Sequence, residues 1–247
     1  MKHSITIRSE SINLLMDCTA IMLAITMCLT LGAQTRPKHH TQYSEFSTVA
    51  TVIWDNIWAG NEPRQVFSRS PDGLILITAQ MHDFPSISLT LTSRGKKRVV
   101  EFENGIGSEI IWAPDSKAFA VTGSNWSGNG PFDTYIYYVE KDGLIRVNIN
   151  EALRRVVDQK LACDLPDELP QTANIIAIAW KGNSKRLFVA GQVPHHSICK
   201  QMGTFTLFEI RLPEVEIVHR YTQAEAKARF AKYLGPELRT AGDDVEP

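Results

Sequence analysis

The chain carries four cysteines in 247 residues, and no charge of one sign accumulates. Twenty-six basic residues offset 27 acidic ones, for a formal net charge of -1. That balance gives no reason to expect the basic groove of a nucleic-acid binder or a strongly cationic membrane-facing surface. No run reaches five or six like charges, so there is no charged interaction tail. The densest stretch, Arg94-Gly95-Lys96-Lys97-Arg98, reads as a solvated hairpin turn, because clustered like charges need water to screen them. No Gly-x-Ser-x-Gly elbow occurs, which removes the usual setting of a serine nucleophile. The glycine-rich stretch Gly123–Pro131 precedes a strand-like segment, so it lacks the helix N-terminus that cradles phosphate. Its Trp126 is left as a candidate recognition aromatic. Asp243-Asp244, and Asp164 with Asp167, fall in tail and loop, where nothing would raise a carboxyl pKa for acid–base work. No catalytic residue and no cofactor is expected, and the 43% hydrophobic content allows a real core.

What is present begins at the N-terminus. Lys2, His3 and Arg8 precede an apolar run from Cys18 to Ala33 that ends in the small residues of Thr30-Leu31-Gly32-Ala33. Charged start, apolar middle and small end make a secretory signal peptide over residues 1–33, with cleavage after Gly32 or Ala33. The expected address is therefore outside the cytoplasm, in the periplasm or cell envelope. The alternative is an uncleaved membrane anchor, although the run is short of the roughly 20 residues a span needs and Asp17 sits at its end. Removing the leader removes Cys18 and Cys28. Cys163 and Cys199 remain, and an oxidising compartment allows them one disulfide.

The body is repetitive. Phe67-Ser68-Arg69-Ser70-Pro71-Asp72-Gly73-Leu74-Ile75-Leu76-Ile77-Thr78, Ile110–Val121 and Ile178–Val189 each read strand, tight turn, strand. A second hairpin follows each unit. Ile87–Thr92 pairs with Arg98–Phe102, Thr134–Val139 with Leu144–Val147, and Phe205–Ile210 with Val215–Val218. Four short strands per unit is the content of one propeller blade. Trp112 and Trp180 hold the same repeat position and read as blade-packing residues, as do Trp54 and Trp58.

The Ser-Pro-Asp-Gly turn at 70–73, the Trp-x-Pro-Asp-Ser-Lys variant at 112–117 and the strand Asp133-Thr134-Tyr135-Ile136-Tyr137 resemble the blades of TolB-like, or WD40-like, bacterial propellers. The resemblance covers roughly Phe67 to Val218. It implies a β-propeller that docks other proteins; some relatives instead sit beside a hydrolase domain. The chain departs from the pattern at Lys181-Gly182-Asn183, where Pro-Asp is missing, and it has fewer repeats than a closed propeller of four to eight blades. Pro71 and Pro114 are 43 positions apart, a normal blade period, whereas Trp112 and Trp180 are 68 apart. An insertion at 150–165 accounts for the excess: Asn150 can cap a helix whose Leu153, Val156, Val157 and Leu161 share a face. Thr222 and Glu225 form a capping box for a C-terminal helix over 221–235, with Ala226, Phe230, Tyr233 and Leu234 on one side and Gly235-Pro236 as the stop.

These observations predict an all-β fold of propeller-type four-stranded antiparallel blades, three or four in number, with one inserted helix and a C-terminal helix. The expected organisation is leader 1–33, polar linker 34–46, β-propeller-like domain 47–220 and a disordered tail over 236–247. The residues 47–67 are the candidate for a partial fourth blade. His195, His196 and Cys199, joined by Cys163, form the single cluster of metal-ligand residue types, at a spacing that matches no closed zinc motif. The leading expectation is a non-enzymatic envelope module that binds another protein, or itself, through loops or an open strand edge. The alternatives are a metal-binding or hydrolytic enzyme centred on His195, His196 and Cys199, and a membrane-anchored structural protein.

Overall fold

The structure is a computed structural model, and it describes residues 46–53, 65–81, 86–124, 131–158, 172–194 and 199–242. The chain divides into two units, Met1–Thr41 and Gln42–Pro247. All described residues belong to the second. The leader, Trp54, Trp58, Trp126, Cys163, His195 and His196 lie outside the described residues.

Among the described residues, thirteen strands form three antiparallel sheets. Sheet 1 holds β2 (Val66–Arg69), β3 (Ile75–Met81), β4 (Ile87–Ser93) and β5 (Lys96–Phe102) in sequence order. Sheet 2 holds β6 (Ile106–Trp112), β7 (Ala118–Ser124), β8 (Phe132–Val139) and β9 (Leu144–Asn148), with β1 (Thr51–Val52) added beside β6. Sheet 3 holds β10 (Asn174–Trp180), β11 (Arg186–Gln192), β12 (Phe205–Arg211) and β13 (Glu216–Tyr221). Each sheet is thus a blade-like meander, and the three expected units appear as three sheets. The segment expected as a partial fourth blade contributes β1 to sheet 2 and the start of β2 to sheet 1. Two residues of β1 cover part of an edge that β6 would otherwise expose.

The turns show why the third repeat tolerates the loss of Pro-Asp. In all three, a side-chain oxygen accepts the amide two residues on: Asp72 from Leu74 at 3.0 Å, Asp115 from Lys117 at 3.2 Å, and Asn183 from Lys185 at 3.0 Å. Asn supplies the same Asx turn as Asp. The proline position becomes Gly182, whose φ of 80° a proline ring cannot reach.

The sheets stack in chain order. One core joins sheets 1 and 2 through Ile77, Leu89, Phe102, Phe119 and Tyr137. A second joins sheets 2 and 3 through Ala120, Ile136, Trp180, Val189 and Phe208, and takes in the inserted helix. No core cluster joins sheet 1 to sheet 3 among the described residues. That helix, α1 (Asn150–Asp158), buries Leu153 and Val157 and rests on β11 at Gly191, where a Cβ would meet Val157 Cγ2 at 2.6 Å. Asn150 does not cap it as expected. The Asn148 carboxamide accepts the Asn150 amide at 2.9 Å, while the Asn150 side chain accepts the Thr134 amide at 2.7 Å and ties the helix to β8.

The far face of sheet 3 is covered by α2 (Gln223–Phe230) and α3 (Pro236–Thr240), with Phe46, Leu234 and Leu238 buried between. The Thr222–Glu225 capping box is present. The residues expected as a disordered tail are corrected in part: Pro236 opens a new helix and Leu238 and Ala241 are fully buried, because sheet 3 offers an apolar face that must be covered.

Candidate functional site

The sequence-predicted metal cluster is represented by one described residue. Cys199 is buried and disulfide-bonded, with its bonding partner outside the described residues. A disulfide sulfur carries no thiolate charge to bind a metal. Among the described residues, no group of three or more His, Cys, Asp or Glu side chains is placed to hold an ion. No helix among them is long and apolar enough to cross a membrane.

Among the described residues, concavities lie along sheets 2 and 3. A cleft of about 610 Å³ at the turn end of sheet 3 is bordered by Lys181, Lys185, Arg186 and Arg211. Three of these cations are paired within the chain. Lys181 and Arg186 lie 2.9 and 2.5 Å from the Glu209 carboxylate, which is 3% exposed, and Arg211 lies 2.6 Å from Glu216. Burial alone would push the Glu209 carboxyl up, but its bonds to Lys181 and Arg186 outweigh this and hold it below its ordinary value. A polar depression of about 350 Å³ beside α1 holds Arg154 paired with Asp133 at 2.7 Å. A mixed depression of about 260 Å³ is lined by Val156, Val157, Val193 and Phe208 together with Gln201 and Arg220.

The inner strand edge is closed rather than offered. At the edge of β10 away from β11, the Ile175 carbonyl accepts the Thr134 hydroxyl at 2.8 Å and the Ile178 carbonyl accepts Ser47 Oγ at 2.7 Å. The Ala177 amide donates to Thr122 and Thr134 at 3.1 Å. Hydroxyls thus replace a neighbouring strand. The outer strand of sheet 1, β5, begins Lys96-Lys97-Arg98, a composition that discourages edge pairing. Arg98 is not simply solvated: its guanidinium donates to the carbonyls of Glu140, Lys141 and Gly143 in the β8–β9 hairpin. The sequence signalled a turn there but not this link between sheets.

The uncovered surface is a face. Strands β7 and β10 are buried at every position, since their sheets are packed on both sides. Strands β3 and β4 instead alternate, burying Ile75, Ile77 and Ala79, and Ile87, Leu89 and Leu91. The other face of sheet 1 is built from three cross-strand rows. The central row runs Phe67, Thr78, Thr90, Val99. On the turn side lies Arg69, Leu76, Thr92, Lys97; on the opposite side lies Gln80, Ser88, Glu101. Phe67 is 57% exposed and Val99 60%. Gln65 bonds Gln80 at 3.3 Å, and Ser88 donates to Glu101 at 2.7 Å. Sequence reasoning did not single out this face. Its signal was the Ser/Thr alternation of Ile87–Thr92, which lacks the continuous apolar character of β7 and β10.

No family model matches the chain, and no curated protein matches it. Among solved structures, it is similar to the β-propeller domain of the Trilobed protease from Pyrococcus furiosus, at 12% identity and a TM-score of 0.38. The match covers 64% of this chain and 42% of that one, so the chain spans less than half of that structure's length. The blade-like character of the three sheets rests on their strand order and pairing.

Proposed function

We propose that this chain is an exported, non-enzymatic interaction module of the cell envelope, related to the TolB-like propellers, which docks a protein on the outer face of sheet 1. One observation carries the reading: sheets 2 and 3 are packed on both faces, whereas sheet 1 is packed on one and leaves Phe67 and Val99 in solvent. Phe67 and Val99 stand at the two edges of this unpacked face, on β2 and β5, and a partner laid across it would remove both from water. The leader pattern of residues 1–33 supports export, and the disulfide at Cys199 fits an oxidising compartment.

A photo-reactive amino acid at Thr90, in the middle of the face, tests this in cells. It is expected to trap a protein, and the same group at Glu216 on β13 is expected to trap none. Trapping from Glu216 but not from Thr90 would overturn the assignment of the surface, and no adduct from either would overturn the interaction reading.

A further inference from the structure

We infer that the occupant of the sheet 1 face is a second copy of this chain, packed face to face about a two-fold axis that runs along the central row. This rests on the interaction-module reading and names its partner. The basis is the charge order of the face. Arg69 and Lys97 stand at the turn side, and Glu101 with the amides Gln65 and Gln80 at the other. An axis along Phe67-Thr78-Thr90-Val99 exchanges the two sides and keeps each strand opposite itself. Lys97 on β5 then faces Glu101 on the β5 of the second copy, twice over by symmetry, and Arg69 faces Gln65. Phe67 meets Phe67 and Val99 meets Val99, which covers both exposed side chains. A two-fold axis along the strands would instead set Lys97 against Arg69. Like charges at that separation disfavour the second arrangement. The face is therefore self-complementary in one orientation, as an isologous interface must be. The middle of the face carries the short side chains of Thr78, Thr90, Thr92 and Ser88, which permits aligned sheet packing at a spacing of about 10 Å.

The size of the face sets the strength. Three strands of seven residues and one of four, about 4.8 Å apart, give a footprint of roughly 400 Å² per copy. That is below the ~800 Å² per partner of a stable complex, so the pairing is weak and concentration-dependent.

Sedimentation equilibrium of the purified protein across a micromolar-to-millimolar range tests the inference. The wild type is expected to show a monomer–dimer equilibrium. Lys97→Glu and Glu101→Lys are each expected to weaken it at least tenfold, since each sets like charges face to face. The double variant K97E/E101K is expected to restore dimerisation, and so is an equal mixture of the two single variants, which re-forms both ion pairs in the mixed dimer. Both positions are exposed, so unchanged melting curves accompany these shifts. A wild type that stays monomeric at millimolar concentration would overturn the self-pairing, as would dimers indifferent to the single charge changes or not restored by the double. If the wild type is monomeric while the Thr90 probe still traps another protein, the pairing falls and the interaction module stands. If Thr90 also traps nothing, both fall.

Discussion

Asp115 lies in the turn between β6 and β7, yet its carboxylate reaches the next sheet. It accepts the Ser184 amide at 3.2 Å and the Ser184 hydroxyl at 2.9 Å. One turn earlier, the Asp72 amide donates to Ser116 Oγ at 3.1 Å. The three turns are thus linked in series, and the last ends on Ser184. Burial tends to raise the Asp115 carboxyl, but the Ser184 and Lys117 hydrogen bonds and the Lys117 charge hold it below its ordinary value. A depressed folded-state pKa contributes stability above the unfolded value and loses it as pH falls through the folded one. Asp115→Ala is therefore expected to cost about 1–3 kcal/mol at pH 7. In thermal melts the gap to wild type should narrow below pH 4; a gap that widens there contradicts the assignment. Glu209→Ala should cost a similar ~1–3 kcal/mol rather than the ~3–5 of a fully buried pair, because Lys181 and Arg186 are partly exposed and can return to water. Denaturant midpoints for the single variants measure this.

At the scale of elements, the α2–α3 cover decides whether sheet 3 keeps its second packed face. Leu238 is fully buried against that face although α3 spans only Pro236–Thr240. So short a helix has little stability of its own, and tertiary packing holds it. Leu238→Ala is expected to lower stability by about 2–4 kcal/mol in urea titration. The Thr222–Glu225 box was legible because capping is a local exchange of hydrogen bonds between residues three apart. The helix after Pro236 was not, since Gly235-Pro236 reads as a stop and Pro at the first position of a new helix gives the same local signal. Likewise, Asn148 and Asn150 are both capping residue types, and which amide each meets depended on where β8 lies.

At the scale of the molecule, two covalent events are expected. Intact mass under non-reducing conditions should show Cys199 joined to Cys163, with no free thiol in the mature protein. Cys199→Ser should then lower stability by about 2–4 kcal/mol. A mature N-terminus near Gln34 would accompany export, and a chain retaining Met1 would contradict it.

The amino-acid sequence by itself determined the strand–turn–strand units with their tight turns at Asp72 and Asp115, and the α2 cap. Each depends on residues within a few positions of one another, so local chemistry suffices. Only the tertiary structure decided that β1 joins sheet 2, that Arg98 reaches the β8–β9 hairpin, and that Glu209 is enclosed by two cations. It also decided which face stays open. Alternation in β3 and β4 tells that one side of a sheet is wet, but not that its neighbours stack on the other side and leave Phe67, Val99, Lys97 and Glu101 together in solvent. That outcome depends on contacts between segments tens of residues apart, and no local pattern encodes their order.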